Sequence, residues 1–204
     1  RRDPTRAWRW LAAGGLAALL AATAVGEGGG GELDPGRLRW SELHYRARKL
    51  LFSAEVRVRA ETVAAAATAS RLEAVPGHDG LSPGGGQVVR LELESSLLGR
   101  RTLTTALLEP GSAAALQTET REGGRRARLK TQRFGGSDVA IARRRPAEGE
   151  ATLPEEHWSR RSIEVVALPP PADGAAAVSD PVALFWVLAT APLERVGDRW
   201  QVRL

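Results

Sequence analysis

The chain contains no cysteine among its 204 residues. That absence excludes disulfide bridges, thiolate metal sites, thiol catalysis and a lipid anchor on cysteine. Lysine is nearly absent too, because only Lys49 and Lys130 contribute to the 29 basic residues. Such an arginine excess, together with abundant alanine and glycine, is typical of the codon usage of a GC-rich genome. It does not by itself indicate a polyanionic partner.

The net charge of +5 is also unevenly distributed along the chain. The first 24 residues hold four arginines and one aspartate, which is +3, so the remainder carries only +2. A basic leader and the codon usage therefore explain the pI near 10.8, and we expect no nucleic-acid partner. The hydrophobic fraction of 43% is sufficient for a packed core.

The N-terminal segment has the organisation of a secretory signal. A basic stretch precedes 15 residues without charge (11–25), and Ala22-Thr23-Ala24 supplies the small residues that a signal peptidase requires. The apolar stretch is shorter than the roughly 20 residues that span a bilayer. We therefore expect residues 1–24 to be a signal peptide, with a retained anchor or an untargeted segment as alternatives. The mature protein is then expected in the periplasm or cell envelope.

Residues 25–37 predict a linker, because they are rich in glycine and acid and contain little that packs. Residues 38–204 predict a single β-rich domain. Its last segment, 200–204, begins a strand with no partner after it, so we expect the native domain to continue beyond this point.

Alternation of apolar and polar residues with a period of two dominates the domain. It is strict in three segments, 43–49, 53–61 and 87–95, and weaker in 101–108, 114–120, 125–134, 139–143 and 162–168. Such alternation is typical of half-buried strands. Turn residues between short strands predict a mainly β fold, namely a curved antiparallel sheet in a half-barrel or open barrel, with a sandwich as the alternative.

One segment interrupts this rhythm near the end of the chain. Asp180 and Pro181 are helix-starting residues, and the apolar stretch after them ends near Pro192. A short helix of this composition must be buried, so we expect it on the concave face of the sheet. Residues 62–86 and 144–153 carry few order signals; a helix over 63–72 and a long loop are equal alternatives.

No motif for catalysis or metal binding is recognisable. His44, His78 and His157 lie in different contexts, and none has a second ligand at metal spacing. The serines lack a nucleophile elbow, and the glycine runs lack the lysine that follows in a phosphate-binding loop. We therefore expect a protein that is not an enzyme and uses no cofactor and no metal.

Glu92 and Glu94 share one face of a predicted strand, and such a pair could do acid–base chemistry. Arginines of neighbouring strands offer a structural explanation, because opposite charges across a sheet contribute about 0.2–1 kcal/mol per pair. The predicted partners on the polar face are Arg46, Arg48, Arg57, Arg59, Arg126, Arg128 and Lys130. The basic segment 125–134 is accordingly interpreted as a solvated strand face rather than a phosphate-binding surface.

Three segments together resemble one known family. They are residues 43–56 (LHYRARKLLFSAEV), residues 130–135 (KTQRFG), and residues 180–188 (DPVALFWVL) followed by Gly197-Asp198. The family is the exported bacterial domain of unknown function 3108, and the resemblance spans roughly residues 40–204. It implies an extracytoplasmic curved antiparallel sheet similar to the open half-barrels of lipoprotein carriers. The family has no established activity, and the insertion at 62–86 departs from its pattern.

These observations predict an exported envelope protein that binds an apolar or amphipathic ligand, such as a lipid, in the concavity of the sheet. The short helix would cover only part of the inner face and leave an apolar cleft. The candidate lining residues are Tyr45, Phe52, Val56, Leu91, Leu93, Phe134 and Trp186.

Two alternatives stay open. A structural or assembly module would bind an envelope protein through a sheet edge or an arginine-rich face. A hydrolase acting on envelope polymers would require at least two of the histidines, carboxylates and serines to converge in one cleft. In every case we expect membrane contact only through the N-terminal segment.

Overall fold

The structure is a computed structural model, and it describes residues 33–49, 52–97, 99–124, 127–168, 176–177, 180–191 and 202–203. The predicted signal segment and most of the predicted linker lie outside the described residues. Within the described part, no helix is long and apolar enough to cross a membrane.

Eight antiparallel strands form one sheet in which each strand pairs with the next along the chain. They are β1 (Glu42–Lys49), β2 (Phe52–Ala64), β3 (Gln87–Leu97), β4 (Arg100–Leu108), β5 (Ala115–Glu122), β6 (Arg128–Phe134), β7 (Asp138–Arg145) and β8 (Arg160–Ala167). Among the described residues, β1 and β8 pair with no further strand, so the sheet is not closed. The predicted fold class, a mainly β protein with a curved open antiparallel sheet, is therefore confirmed.

The remaining elements are short. Helix α1 (Ala65–Ala69) follows β2, and helix α2 (Ala183–Thr190) lies near the end of the described chain. Two single 3-10 turns are η1 (Pro35–Arg37) and η2 (Glu155–His157), and two short strands, β9 (Ala176–Ala177) and β10 (Val202–Arg203), pair in parallel.

The inner, concave face of the sheet packs against α2. Trp186 projects from this helix into the main core, where it is 1% exposed, and its indole N–H donates to the Pro110 carbonyl at 2.9 Å. The buried members of this core are Leu33, Ala60, Val89, Leu91, Ala106, Leu108, Ala113, Ala115, Phe134, Val139, Ala183, Trp186, Val187 and Ala191. Strict alternation along β2 and β3 produces this face, as the sequence predicts.

The start of α2 differs in detail from the prediction. Val182, rather than Asp180, occupies the N-cap position. The Asp180 carboxylate instead accepts the Val182 backbone N–H at 2.8 Å, in the turn that precedes the helix. The helix still lies on the concave face, as predicted.

The packed part of the chain begins before the predicted domain start at residue 38. Leu33 is 3% exposed within the main core, and its backbone N–H donates to the Gly111 carbonyl at 2.9 Å. The Asp34 N–H donates to the Thr190 carbonyl at the end of α2. The last residues of the predicted linker therefore belong to the folded domain.

The outer face of the sheet, opposite to α2, is charged along β1 to β3. Glu42 pairs with Arg59 at 2.7 Å and with Arg57 at 3.2 Å, and the register places Arg57 beside Glu94. Opposite charges therefore lie across neighbouring strands in this part of the sheet, as predicted.

The ion-pair partners of Glu92 and Glu94, however, are Arg90 and Arg101, which were not among the predicted partners. The prediction is wrong for Arg128 and Lys130, because the register puts Leu129 and Thr131 on the face of Glu92 and Glu94 instead. Arg126 lies outside the described residues.

Along β4 to β7, by contrast, much of the outer face is buried, although Arg101 and Arg121 are exposed. Residues 65–83, which we call the cover segment, comprise α1 and the chain after it. A second core of Val88, Leu107 and Leu116 lies beneath it, with Ala65, Leu72 and Leu81 packed against that core. Both faces of these strands are therefore covered, one by α2 and one by the cover segment.

Candidate ligand pocket

A cavity of about 460 Å³ is lined by residues of the cover segment and by Arg133 of the outer face of the sheet. Its volume is within the range of about 300–1,000 Å³ that small-molecule pockets occupy. Apolar walls are provided by Ala65, Ala66, Ala69, Leu72, Val75 and Pro83. Polar side chains are provided by Glu73, His78, Ser82 and Arg133.

Polar contacts attach the middle of the cover segment to strands β5 and β7. The Glu73 backbone N–H donates to the Gln117 side-chain carbonyl at 2.7 Å, and the Gln117 amide donates to the Arg71 carbonyl at 3.4 Å. The Glu73 carboxylate also pairs with Arg144 of β7. These contacts hold the polar wall of the cavity in place.

Arg133, in β6, is a buried cation at the base of the cavity. Its side chain is 6% exposed, and its guanidinium donates to two backbone carbonyls, Leu116 O at 2.6 Å and Leu81 O. Burial lowers the pKa of Arg133. No described carboxylate lies within ion-pair distance of this guanidinium, although buried charges are normally paired.

Gly80 makes this placement of Arg133 feasible. A Cβ atom built on Gly80 would lie 2.5 Å from both Cζ and Nε of Arg133 and 2.7 Å from its Cγ. The backbone at position 80 therefore packs directly on the side chain of Arg133. The Leu81 N–H then donates to the Phe134 carbonyl at 2.7 Å, which secures the end of the cover segment to β6.

His78 forms a second polar group in the cavity. Its side chain is 2% exposed, and its Nε2 lies 3.0 Å from Oδ1 of Asp138. Because an ionised carboxylate only accepts hydrogen bonds, Nε2 carries the proton in this pair. The other ring nitrogen, Nδ1, is buried and has no hydrogen-bond partner among the described atoms. A buried polar atom of this kind is a candidate contact for a ligand.

A tight turn directs His78 toward the sheet. The His78 backbone N–H donates to the Val75 carbonyl at 3.1 Å, and Gly77 between them has φ of +75°. Glycine adopts this left-handed conformation without the steric penalty of other residues. The sequence 75–78 thus fixes the position of the imidazole beside Asp138.

The residues predicted to line a cleft lie elsewhere, on the inner face. Leu91, Phe134 and Trp186 belong to the main core and are at most 1% exposed. Val56 and Leu93 form a second buried cluster with Val58. Such burial leaves these five side chains almost no surface for a ligand while α2 is packed.

Two of the predicted lining residues differ from that group. Tyr45 is 52% exposed on β1, beyond the area that α2 covers. Phe52 begins β2, and its side chain is outside the described part of the structure. The ligand-binding role of all seven residues stays a prediction. The cavity of about 460 Å³ lies on the other face of the sheet, and none of the six whose side chains are described lines it.

A second cavity, of about 260 Å³, opens beside β1 to β3. Its charged groups are already paired with one another, including Arg59 with Glu42 and Arg90 with Glu61. No group of three or more potential metal-ligating side chains occurs in the described part of the chain. Polar groups with hydrogen-bonding capacity that the protein does not use therefore lie at the first cavity, namely Arg133 and His78.

The sequence patterns do not predict the polar residues of this pocket, although strand β6 carries one signal. In β6, Leu129, Thr131 and Arg133 share the outer face, whereas Lys130 and Phe134 share the inner face. An apolar residue on each side of one strand indicates that both faces are covered. Because Arg133 lies on the same face as Leu129, it is then predicted to be buried.

Comparison with known proteins identifies no relative. No protein-family model, no curated protein and no solved structure matches the chain.

Proposed function

We propose that this protein is an exported, non-enzymatic binding module that holds a small amphipathic ligand. The ligand would occupy the cavity of about 460 Å³ at the cover segment, which we call the outer-face pocket. The observation that carries the proposal is the composition of the cavity. Alanine, leucine, valine and proline side chains form its apolar walls, while Arg133 and His78 present buried polar groups at one side. Ligand sites commonly combine apolar walls with a few convergent polar groups.

The construction of the cover segment also supports binding. Hydrogen bonds and an ion pair attach this segment to β5 to β7, and α1 has only five residues. Segments that lie outside the main core open at lower free energy than the rest of a domain. A ligand could therefore enter without disruption of the main core around Trp186.

The first test compares two substitutions on the same helix. Ala69 and Ala67 are both exposed on α1, but only Ala69 lines the cavity. We expect native mass spectrometry of the full chain from a bacterial envelope extract to show a bound amphipathic small molecule. Ala69→Phe should abolish this adduct because the phenyl ring occupies the pocket, and Ala67→Phe should retain it.

Two results would contradict the proposal. One is a full chain that carries no small molecule from the extract and gains no thermal stability from any fatty acid, alcohol or phospholipid. The other is an adduct that persists unchanged in Ala69→Phe. A co-purifying protein in place of a small molecule would instead favour an assembly module of the cell envelope.

A hydrolase is the second candidate, because a histidine, carboxylates and a serine do converge on this cavity. His78 contacts Asp138, and Ser82 lines the same space. Within the described residues, however, no hydrogen bond joins Ser82 to His78, which a nucleophile and its base require. Hydrolysis of p-nitrophenyl octanoate that is lost in both Ser82→Ala and His78→Gln would favour the hydrolase.

A further inference from the structure

We infer that the ligand of the outer-face pocket carries an acidic oxygen group, a carboxylate or a phosphate, which pairs with Arg133. This inference rests on the proposed binding function and specifies the chemistry of the ligand. Its basis is a buried arginine that no described carboxylate neutralises, beside a cavity that is also lined by His78, whose buried Nδ1 is unpartnered.

The environment of Arg133 is unlike that of the other arginines with described side chains. Arg144, the nearest comparison on the neighbouring strand, has the Glu73 carboxylate as its partner. The arginines without an ion pair are otherwise exposed to solvent, where water compensates the charge: Arg39, Arg71, Arg100, Arg145, Arg160 and Arg161. A buried guanidinium has no such compensation, so an anion in the cavity would supply it.

Hydrogen-bonding capacity remains on the guanidinium. An arginine has five N–H donors, and the carbonyls of Leu116 and Leu81 accept from one donor on each terminal nitrogen. These two bonds fix the plane of the guanidinium without exhausting its donors. A planar, fixed fork of this kind suits a carboxylate or a phosphate, to which it can donate two parallel hydrogen bonds.

The two acidic side chains that contact the polar groups of the cavity are already engaged. Glu73 pairs with Arg144, and Asp138 contacts Nε2 of His78. Neither is bonded to Arg133, so a ligand anion would not displace a native ion pair. Nδ1 of His78 is then available for a second contact, either as an acceptor from an acid O–H or, in the protonated ring, as a donor to the anion.

A purely structural role for Arg133 makes a different prediction. The guanidinium connects β5, through Leu116, to the cover segment, through Leu81, and could serve only as a clamp. In that case the pocket would not distinguish a ligand with an acidic group from the same ligand without one. The comparison of matched ligands therefore separates the two roles without any change to the protein.

The test measures affinities of the full chain for 1-octanol, octanoate, octyl phosphate and acetate by isothermal titration calorimetry. Octanol and octanoate share their alkyl chain and differ in the acidic group, while acetate has the group without the chain. We expect octanoate or octyl phosphate to bind at least about tenfold more tightly than octanol, as a charge-assisted hydrogen bond provides. The preferred one of the two identifies the acid as carboxylate or phosphate.

Variants place this binding in the pocket. Ala69→Phe should remove the tight binding of the acidic ligand, whereas Ala67→Phe should retain it. Arg133→Lys keeps a positive charge but loses the planar fork, so we expect it to reduce the preference for the acid over octanol. If Arg133→Lys fails to fold, the affinities of the unmodified protein for octanoate, octyl phosphate and octanol still test the inference.

Each contrary outcome has a distinct meaning. Equal affinities for octanol and octanoate, both lost in Ala69→Phe, would show that the ligand needs no acidic group. That result would overturn the inference and leave the proposed function intact. Failure of octanol, octanoate and octyl phosphate alike to bind would remove the support for the proposed function itself. Acid binding that survives Ala69→Phe would assign it to another surface and overturn the inference.

Discussion

The two faces of the sheet are covered by segments of different character. On the inner face, α2 contributes apolar contacts, with Trp186 and Val187 at most 1% exposed. On the outer face, the cover segment packs on the smaller core of Val88, Leu107 and Leu116, and polar contacts such as Glu73 with Arg144 and His78 with Asp138 also attach it. Helix α2 is close-packed against the inner face, whereas the cover segment on the outer face leaves a cavity of about 460 Å³.

This difference assigns different tasks to the two faces. Close-packed apolar contacts stabilise a domain in proportion to the area that they bury, and they leave no room for a ligand. A segment that is held by a smaller core and by polar contacts contributes less to global stability but can open locally. The inner face thus maintains the fold, and the outer face is where we propose the binding site.

The strongest test of this comparison removes the largest buried side chain of α2. We expect Trp186→Ala to lower the free energy of unfolding by about 3–5 kcal/mol, because it creates a large cavity and leaves the Pro110 carbonyl without its donor. Urea denaturation followed by circular dichroism measures the change.

Leu188→Ala is the matched control on the same helix. Leu188 is 56% exposed, so its truncation should change the free energy of unfolding by no more than about 0.5 kcal/mol. Similar losses in Trp186→Ala and Leu188→Ala would show that α2 does not form the inner cover.

The next test introduces one methyl group beneath the outer cover. A Cβ at position 80 would overlap Arg133, which two backbone carbonyls hold in place, so the cover segment must shift. We expect Gly80→Ala to destabilise the protein by about 1–3 kcal/mol, as overpacking does. Thermal unfolding monitored by circular dichroism provides the measurement.

Gly85 offers the control for this change. No atom lies within 4 Å of a Cβ at that position, and its φ is not in the left-handed region. Gly85→Ala should therefore leave stability nearly unchanged or raise it slightly, since alanine restricts the unfolded chain. Equal unfolding temperatures of Gly80→Ala and Gly85→Ala would mean that position 80 does not pack on Arg133.

The inner face could be predicted from the sequence because it follows a simple pattern. Alternation in β2 and β3 identified Val56, Leu91 and Leu93 as members of one face, and the apolar composition of residues 183–188 required that α2 be buried. The register of these strands follows from that pattern, since a slip by one residue would expose the whole apolar set.

The outer face could not be predicted in the same way. Its cover segment is rich in alanine, glycine and proline, and such a composition indicates neither a strand nor an amphipathic helix. Long-range contacts position His78 next to Asp138 and Glu73 next to Arg144, and no local spacing encodes them. Arg133 was assigned to a basic, solvated segment, although its phase with Leu129 indicates burial.

A third test weakens one attachment of the outer cover. Glu73→Gln removes the charge that pairs with Arg144, and we expect a loss of about 1 kcal/mol confined to the cover segment. Native-state hydrogen exchange should show faster exchange of the Leu81 amide, which donates to the Phe134 carbonyl. Amides of β2 and β3 should be unaffected.

Glu61→Gln supplies the comparison for that experiment. Glu61 forms an ion pair with Arg90 at 2.9 Å on the exposed outer face of β2 and β3, and neither residue belongs to the cover segment. Its substitution should leave exchange at Leu81 unchanged, because exposed pairs contribute little. A uniform increase in exchange across the sheet in Glu73→Gln would show that the cover segment does not open independently.

The smallest expected effect concerns the carboxyl group of Asp180, which is buried at the start of α2. Burial raises the pKa of Asp180, and the Val182 N–H and the positive charge of Lys130 oppose that rise only in part. The Thr118 hydroxyl approaches the carboxyl without completing a hydrogen bond of normal geometry. The charged form of Asp180 is therefore less favourable in the folded protein than in the unfolded chain.

The sign of the pH dependence follows from this shift. The folded protein retains a proton on Asp180 that the unfolded chain has already released near its ordinary pKa of 3.8, so stability falls as pH rises from there to the folded pKa. Asp180→Asn keeps an acceptor for the Val182 N–H and removes this loss. The unfolding temperature of Asp180→Asn relative to the unmodified protein should therefore increase from pH 3 toward pH 7. A difference that stays constant or decreases over that interval would indicate that Asp180 is solvated, and that the inner cover is not closed at the start of α2.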